Sequence, residues 1–287
     1  MASILDRYGI KEVADVTFYK IKDDGTKGDP VLYLDTLKVS TIEQTAETVD
    51  ARGGKGNPKL VTWDYGKEIT VNIEDALFSA KSMAIMFGNG TVTSESGANV
   101  FVERTAMVRA TTTKLPDFLT VDIYDAADGS KRTKLYMGSE QTAPQGSVKF
   151  NDQITLVKVF NEDGTELKGD GSASITTAAL WQGATATTGN KYFVVYKVKA
   201  TTKTISVSAD TFPGTYYVQG DTYCRSDVNG DDQFFQFIIP NAKMTSENTI
   251  TLEAEGDPAV FNMNLTVLRP EDGEMMKLVQ YDLVSNS

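Results

Sequence analysis

The sequence has no histidine and only one cysteine, Cys224, in 287 residues. Without histidine there is no Ser-His-Asp or Cys-His nucleophile system, and the commonest zinc and non-haem iron ligand is missing. A single cysteine makes no internal disulfide and no C-x-x-C motif. With no histidine to activate it, Cys224 reads as an inert thiol. Basic charge is scarce as well. The 28 Lys and Arg face 39 Asp and Glu, a net charge of −11. Such a balance argues against gripping nucleic acid through a phosphate-neutralising surface. Long apolar runs are absent: nothing approaches the roughly 18 residues of a membrane-spanning helix. The opening MASILDRYGIKEVADV lacks the apolar stretch of a signal peptide, so the expectation is a chain made and folded in a cytoplasm.

The acid that is present is concentrated. Residues 221–287 hold four basic and twelve acidic side chains, a net of −8 out of the total of −11. The locally basic Lys131, Arg132 and Lys134 fall in a turn-like stretch and read as a solvated loop.

Period-two alternation dominates the chain and predicts strands. It runs over Val13–Ile21, Leu37–Val49, Leu60–Trp63 and Ile69–Ile73, with Asp64-Tyr65-Gly66-Lys67 as a turn between the last two. It continues over Val100–Val108, Leu119–Tyr124, Ile154–Phe160, Phe193–Val198 and Ile205–Val207. The cleanest examples are Phe235–Ile239 ahead of Pro240, Ile250–Glu255 and Phe261–Val267. One apolar and one polar face mark half-buried antiparallel strands. One helix is expected over residues 79–87, with Ser79 as N-cap, Gly88 past its end, and Met83, Met86 and Phe87 on the packed face. Asp128-Gly129, Asp163-Gly164, Asn229-Gly230 and Asp272-Gly273 are hairpin-turn dipeptides. Residues 51–58, ARGGKGNP, form a polar Gly-rich loop between two strands. Residues 169–190 are rich in Ser, Thr, Ala and Gly and read as loops with weak strands, anchored by Ile175 and Trp181.

No segment carries recognisable chemistry. Gly53-Gly54-Lys55-Gly56 lacks both the spacing and the strand-to-helix setting of a phosphate loop. Asp227-Val228-Asn229-Gly230-Asp231-Asp232 offers hard oxygens for calcium, but its Gly is fourth and its twelfth residue is Ile238, so an Asn-Gly turn with solvated acids is favoured. Among many acids no pair stands out for general acid and base, and Trp63 and Trp181 are far apart in sequence. Tyr216-Tyr217 and Tyr192-Phe193 suit either a partner surface or sheet packing. No enzyme activity, cofactor or metal is expected.

Two segments have a familiar phrasing. One is RGGKGNPKLVTWDYGKEITVNIEDALFS, residues 52–79, running into the Met-rich helix; the other is FQFIIPNAKM, residues 235–244, followed by ITLEAEGDPAVFNMNL, residues 250–265. Together they resemble the bacteriophage tail tube, or major tail, proteins, over residues 30–110 and 215–285. The resemblance implies an antiparallel β-sandwich with one flanking helix. Its subunits form rings, commonly hexameric, which stack into a tube that conducts DNA out of the capsid. It further implies partners in other tail proteins such as sheath, tape measure or baseplate, and viral DNA that passes without specific binding. Assembly would take place in the bacterial host cytoplasm, with no membrane involved.

On the same basis Arg52, Gly53, Gly54, Lys55 and Gly56 are candidates for a loop reaching the adjacent ring. Glu253 and Glu255 are candidates for an acidic wall that repels phosphate. Residues 1–118 with 216–287 form the expected tube core, and 119–215 an inserted or appended β-rich module. The competing expectation is a β-sandwich recognition module, an adhesin or carbohydrate-binding domain, which predicts an aromatic platform and a stable monomer.

Overall fold

The computed structural model describes residues 7–10, 12–88, 90–96, 100–121, 133–137, 148–149, 154–228, 230–247, 250 and 260–281. In chain order the first half holds β1 (Tyr8–Ile10), β2 (Asp15–Ile21), β3 (Lys27–Leu34), β4 (Leu37–Arg52), β5 (Lys59–Asp75), α1 (Ala80–Phe87), β6 (Thr93–Glu95), β7 (Phe101–Arg109), β8 (Phe118–Val121) and β9 (Thr133–Tyr136). There follow β10 (Val148–Lys149), β11 (Ile154–Phe160), a 3-10 turn at Asp170–Ser172, α2 (Ala178–Gly183), β12 (Lys191–Lys199), β13 (Thr202–Thr204), β14 (Thr215–Ser226), β15 (Asp232–Met244), β16 (Phe261–Val267) and β17 (Lys277–Tyr281). The protein is mainly β; β9 pairs with β10 in parallel, and the pairings within the two larger assemblies, β3-β2-β14-β15-β16-β5-β4 and β11-β12-β7, are antiparallel.

The chain divides into two compact units, Met1–Thr93 with Thr204–Ser287, and Ser94–Lys203. Sequence reading places the joins at 118/119 and 215/216. The strand Phe101–Arg109 accounts for part of that difference: it pairs with β12 in the sheet β11-β12-β7, and so belongs with the second unit.

The first unit is built on one sheet in the order β3-β2-β14-β15-β16-β5-β4, with β1 added to β14 and β17 to β15. Its two outer strands, β3 and β4, are consecutive in the chain and separated only by Asp35 and Thr36. Two residues span no more than about 10 Å, so the sheet has to roll until its edges approach. Side chains from both edges accordingly share one core: Leu32 and Leu34 of β3 lie in it with Leu37 of β4, and Ile42 of β4 packs against it. A rolled sheet of this kind is compatible with a β-sandwich. One rung of the core fixes a residue type. Gly220 on β14 pairs with Phe237 on β15, and a Cβ there would lie 2.1 Å from the ring, so only glycine admits it.

Helix α1 closes the same core with Ile85 and Met86. Ser79 caps it as expected: the Ser82 N–H donates to Ser79 Oγ at 3.0 Å, and the Ser79 N–H to Ser82 Oγ at 2.9 Å, a reciprocal box. The buried face is Ser82, Ala84, Ile85 and Met86, with Met83 and Phe87 half-buried.

The second unit has its own core around Trp181, Tyr196, Leu119, Leu135 and Ile175. Trp181 and Ile175 are fully buried, as the sequence suggested, and the Trp181 indole N–H donates to the Pro116 carbonyl at 2.8 Å. Their setting differs from expectation, since residues 178–183 form a second helix, capped by the Thr177 hydroxyl. A helix of six residues, under two turns, is too short for periodicity to register. The Asp163-Gly164 turn forms as read, with the Asn161 N–H donating to the Thr165 carbonyl at 2.8 Å.

Three further differences have simple causes. Pro240 does not end β15, because it sits at a register shift where the missing N–H costs no ladder bond. β3, with Gly28 and Pro30, escapes the alternation pattern because it is an edge strand. Residues 202–204, rather than 205–207, pair with β6. The expected strand at 250–255 falls outside the described residues apart from Ile250.

Candidate functional site: an extended hairpin

β4 and β5 are the longest strands, 16 and 17 residues. Sequence reading splits β5 in two at Asp64-Tyr65-Gly66-Lys67; it is instead continuous. From Thr70 to Asp75 it is flanked by both β4 and β16. From Lys59 to Ile69 it pairs, among the described residues, only with β4. The outer half of the hairpin is therefore a bare two-stranded ribbon.

The supposed turn is a β-bulge. Thr45 pairs with Glu68 and Glu47 with Tyr65, so β5 carries one residue more than β4 across this step. Gly66 takes the positive φ of +60° that such a bulge needs. One extra residue moves every following side chain of β5 to the other face. Below the bulge Val71 pairs with Ile42, on the core side; above it Trp63 pairs with Val49 and Val61 with Ala51, on the opposite side of β4.

The ribbon is consequently two-faced. Val49, Val61, Trp63 and Tyr65 share one face and are each 48–54% exposed. Glu47 stands opposite Tyr65, and its hydrogen bond holds the Tyr65 phenol above its ordinary pKa. The other face is polar and organised by Asp50. Its carboxylate meets Lys59 Nζ at 2.7 Å, accepts from Thr62 Oγ1 at 2.8 Å, and from Arg52 Nη2 at 3.2 Å. Hydrogen bonds from Lys59 and then Thr62 hold Asp50 below the usual carboxylate range.

Of the residues singled out in the sequence, Arg52, Gly53, Gly54, Lys55 and Gly56 all lie at the tip of this ribbon. The Gly53 N–H donates to the Pro58 carbonyl at 3.2 Å and the Asn57 N–H to the Gly54 carbonyl at 3.1 Å, which closes the turn. Arg52 ends β4 and joins the Asp50 cluster, while Lys55 is exposed. Glu253 and Glu255 lie outside the described residues. The apolar face escaped sequence reasoning. Its only signal is that Val61, Trp63 and Tyr65 keep the odd-numbered alternation of Ile69, Val71 and Ile73.

An exposed amphipathic ribbon offers contact rather than chemistry. A lone two-stranded hairpin is marginal in water, and an exposed apolar patch marks a surface for association. The described residues contain no cluster of His, Cys, Asp and Glu suited to a metal ion. No described helix is long and apolar enough to cross a membrane. What these features define is a mainly β protein that displays a long contact hairpin. The chain belongs to the YomU/Tube protein family, whose family model matches residues 8–158 and 152–280. That family name points to a phage tube protein, a component of the virion tail. No curated protein matches the chain.

Proposed function

We propose that this chain is a tail tube subunit that self-assembles into stacked rings, six-membered as the resemblance implies, and forms the conduit for DNA ejection. The observation that carries the proposal is the bare hairpin ribbon with Val49, Val61, Trp63 and Tyr65 facing solvent on one side. In a monomer this face is a liability; in a stack it becomes the contact between subunits. The net charge of −11 suits the same role. Phosphate contacts from Lys and Arg would brake a sliding duplex, whereas a wall dominated by acid repels it. Sheath, tape measure or baseplate proteins are the other partners, and DNA passes without being specifically bound.

Electron microscopy of the purified full-length chain over a concentration series tests this. Tubes or stacked rings are expected. A monodisperse monomer at high concentration overturns the proposal and favours a recognition module.

A further inference from the structure

We propose that Leu77 and Phe78, just past the end of β5, form the seat for the apolar hairpin face of a second copy, so that subunits join head to tail along β5. This rests on the tube reading above and names the other half of the contact. Leu77 and Phe78 are 63% and 57% exposed although they directly precede a helix that packs in the core. They are also firmly placed. The buried Asp75 accepts from the Leu77 N–H at 3.2 Å and from Thr36 Oγ1 at 2.5 Å, and the Ala76 N–H donates to the Thr36 carbonyl at 3.1 Å. The Phe78 ring rests on Phe261, centroids 4.4 Å apart. A fixed, exposed apolar pair loses little entropy when covered.

The hairpin face and this seat occupy opposite ends of one strand. Two complementary patches at different places on a molecule make a heterologous contact, which propagates instead of closing on itself. Charge selects the same partner. Residues 50–59 carry Arg52, Lys55 and Lys59 against Asp50, a net of +2, on a chain of −11, leaving −13 for the remainder. A basic tip on an acidic molecule is drawn to another copy of that molecule.

The test is disulfide trapping with full-length Trp63→Cys and Leu77→Cys variants, Cys224 being buried and left in place. Mild oxidation of the mixture should give a cross-linked pair that neither variant gives alone, and the double variant should give a ladder. Separately, Leu77→Asp with Phe78→Asp should raise the concentration needed for growth at least about tenfold, with circular dichroism verifying the fold. Trp63→Cys linking to itself, or growth that needs Trp63 yet tolerates both aspartates, overturns the seat alone. A wild-type chain that stays monomeric overturns both the seat and the tube reading.

Discussion

Val49 on β4 stands directly opposite Trp63 on β5, on the face of the hairpin away from the Ile42–Val71 pair a few rungs below. The two pairs belong to one continuous hairpin, yet one faces the core and the other solvent. If the outer face is an assembly contact, Trp63→Lys should leave the fold intact and weaken growth. Exposed positions typically change stability by less than about 0.5 kcal/mol, so the melting curve should barely move. Burying an aromatic side chain is worth about 1.5–3 kcal/mol, so growth should need at least about tenfold more protein. Sedimentation and negative-stain microscopy read this directly. Unchanged growth removes the face from the account.

The number of residues between Glu68 and Tyr65 sets which way that face points. Deleting Gly66 alone takes out the extra residue, so Tyr65 still meets Glu47 and Trp63 still meets Val49. Deleting Gly66 and Lys67 together shifts the outer half by one residue, places Trp63 opposite Thr48, and turns Val61, Trp63 and Tyr65 toward the side of β4 that holds Asp50. The double deletion should therefore fold, with a melting temperature near wild type, but fail to assemble, whereas the single deletion should still grow. Gly66→Val keeps the residue count but forces a β-branched side chain to φ +60°, at a cost of roughly 1–2 kcal/mol. It should reduce growth less than the double deletion does. If the double deletion assembles normally, the direction of the face has no bearing on the contact.

Much of the first unit was legible in the sequence because its strands are half-buried. Phe261–Val267 alternates so cleanly that its bounds are the same in sequence and structure. Ser79 and Gly88 likewise bracket the helix as read. β5 was misread for a physical reason. Gly66 looks like turn punctuation, and only the cross-strand register reveals that it interrupts pairing by one residue without reversing the chain. The tip residues were found because Gly, Asn and Pro punctuate a loop. The face that makes the hairpin a site was missed because periodicity shows that a stripe is apolar, not which partner covers it. α2 is a capped helix of six residues, too short for a helical period to declare itself.

Lys59 should govern the titration of Asp50. Hydrogen bonds from Lys59 and Thr62 lower its folded pKa, so the order they give the tip is present above the ordinary carboxylate value of about 3.9 and is lost as pH falls through the folded value. The group is exposed, so the effect is local rather than global. Carboxyl-detected NMR of the wild-type chain should show a midpoint below the ordinary value. In Lys59→Met the midpoint should move back up. A midpoint indifferent to Lys59 would mean that the 2.7 Å ion pair does not persist in solution.

Shortening the tip separates reach from folding. Residues 52–56 lie at the far end of the ribbon, make their closing hydrogen bonds within the turn, and add no side chain to either hydrophobic core. Joining Ala51 to Asn57 should therefore leave thermal unfolding unchanged within about 0.5 kcal/mol. It also removes Arg52 and Lys55, taking the segment from 50 to 59 from +2 to neutral. If the basic tip draws in an acidic neighbour, the shortened chain should grow more slowly. Added salt should slow wild-type growth by screening that attraction, and should not slow the shortened chain, whose remaining long-range term is repulsion between acidic copies. Light scattering across a salt series measures both. Equal rates and equal salt dependence in the two proteins would confine the contact to the apolar face and leave the tip without a role in assembly.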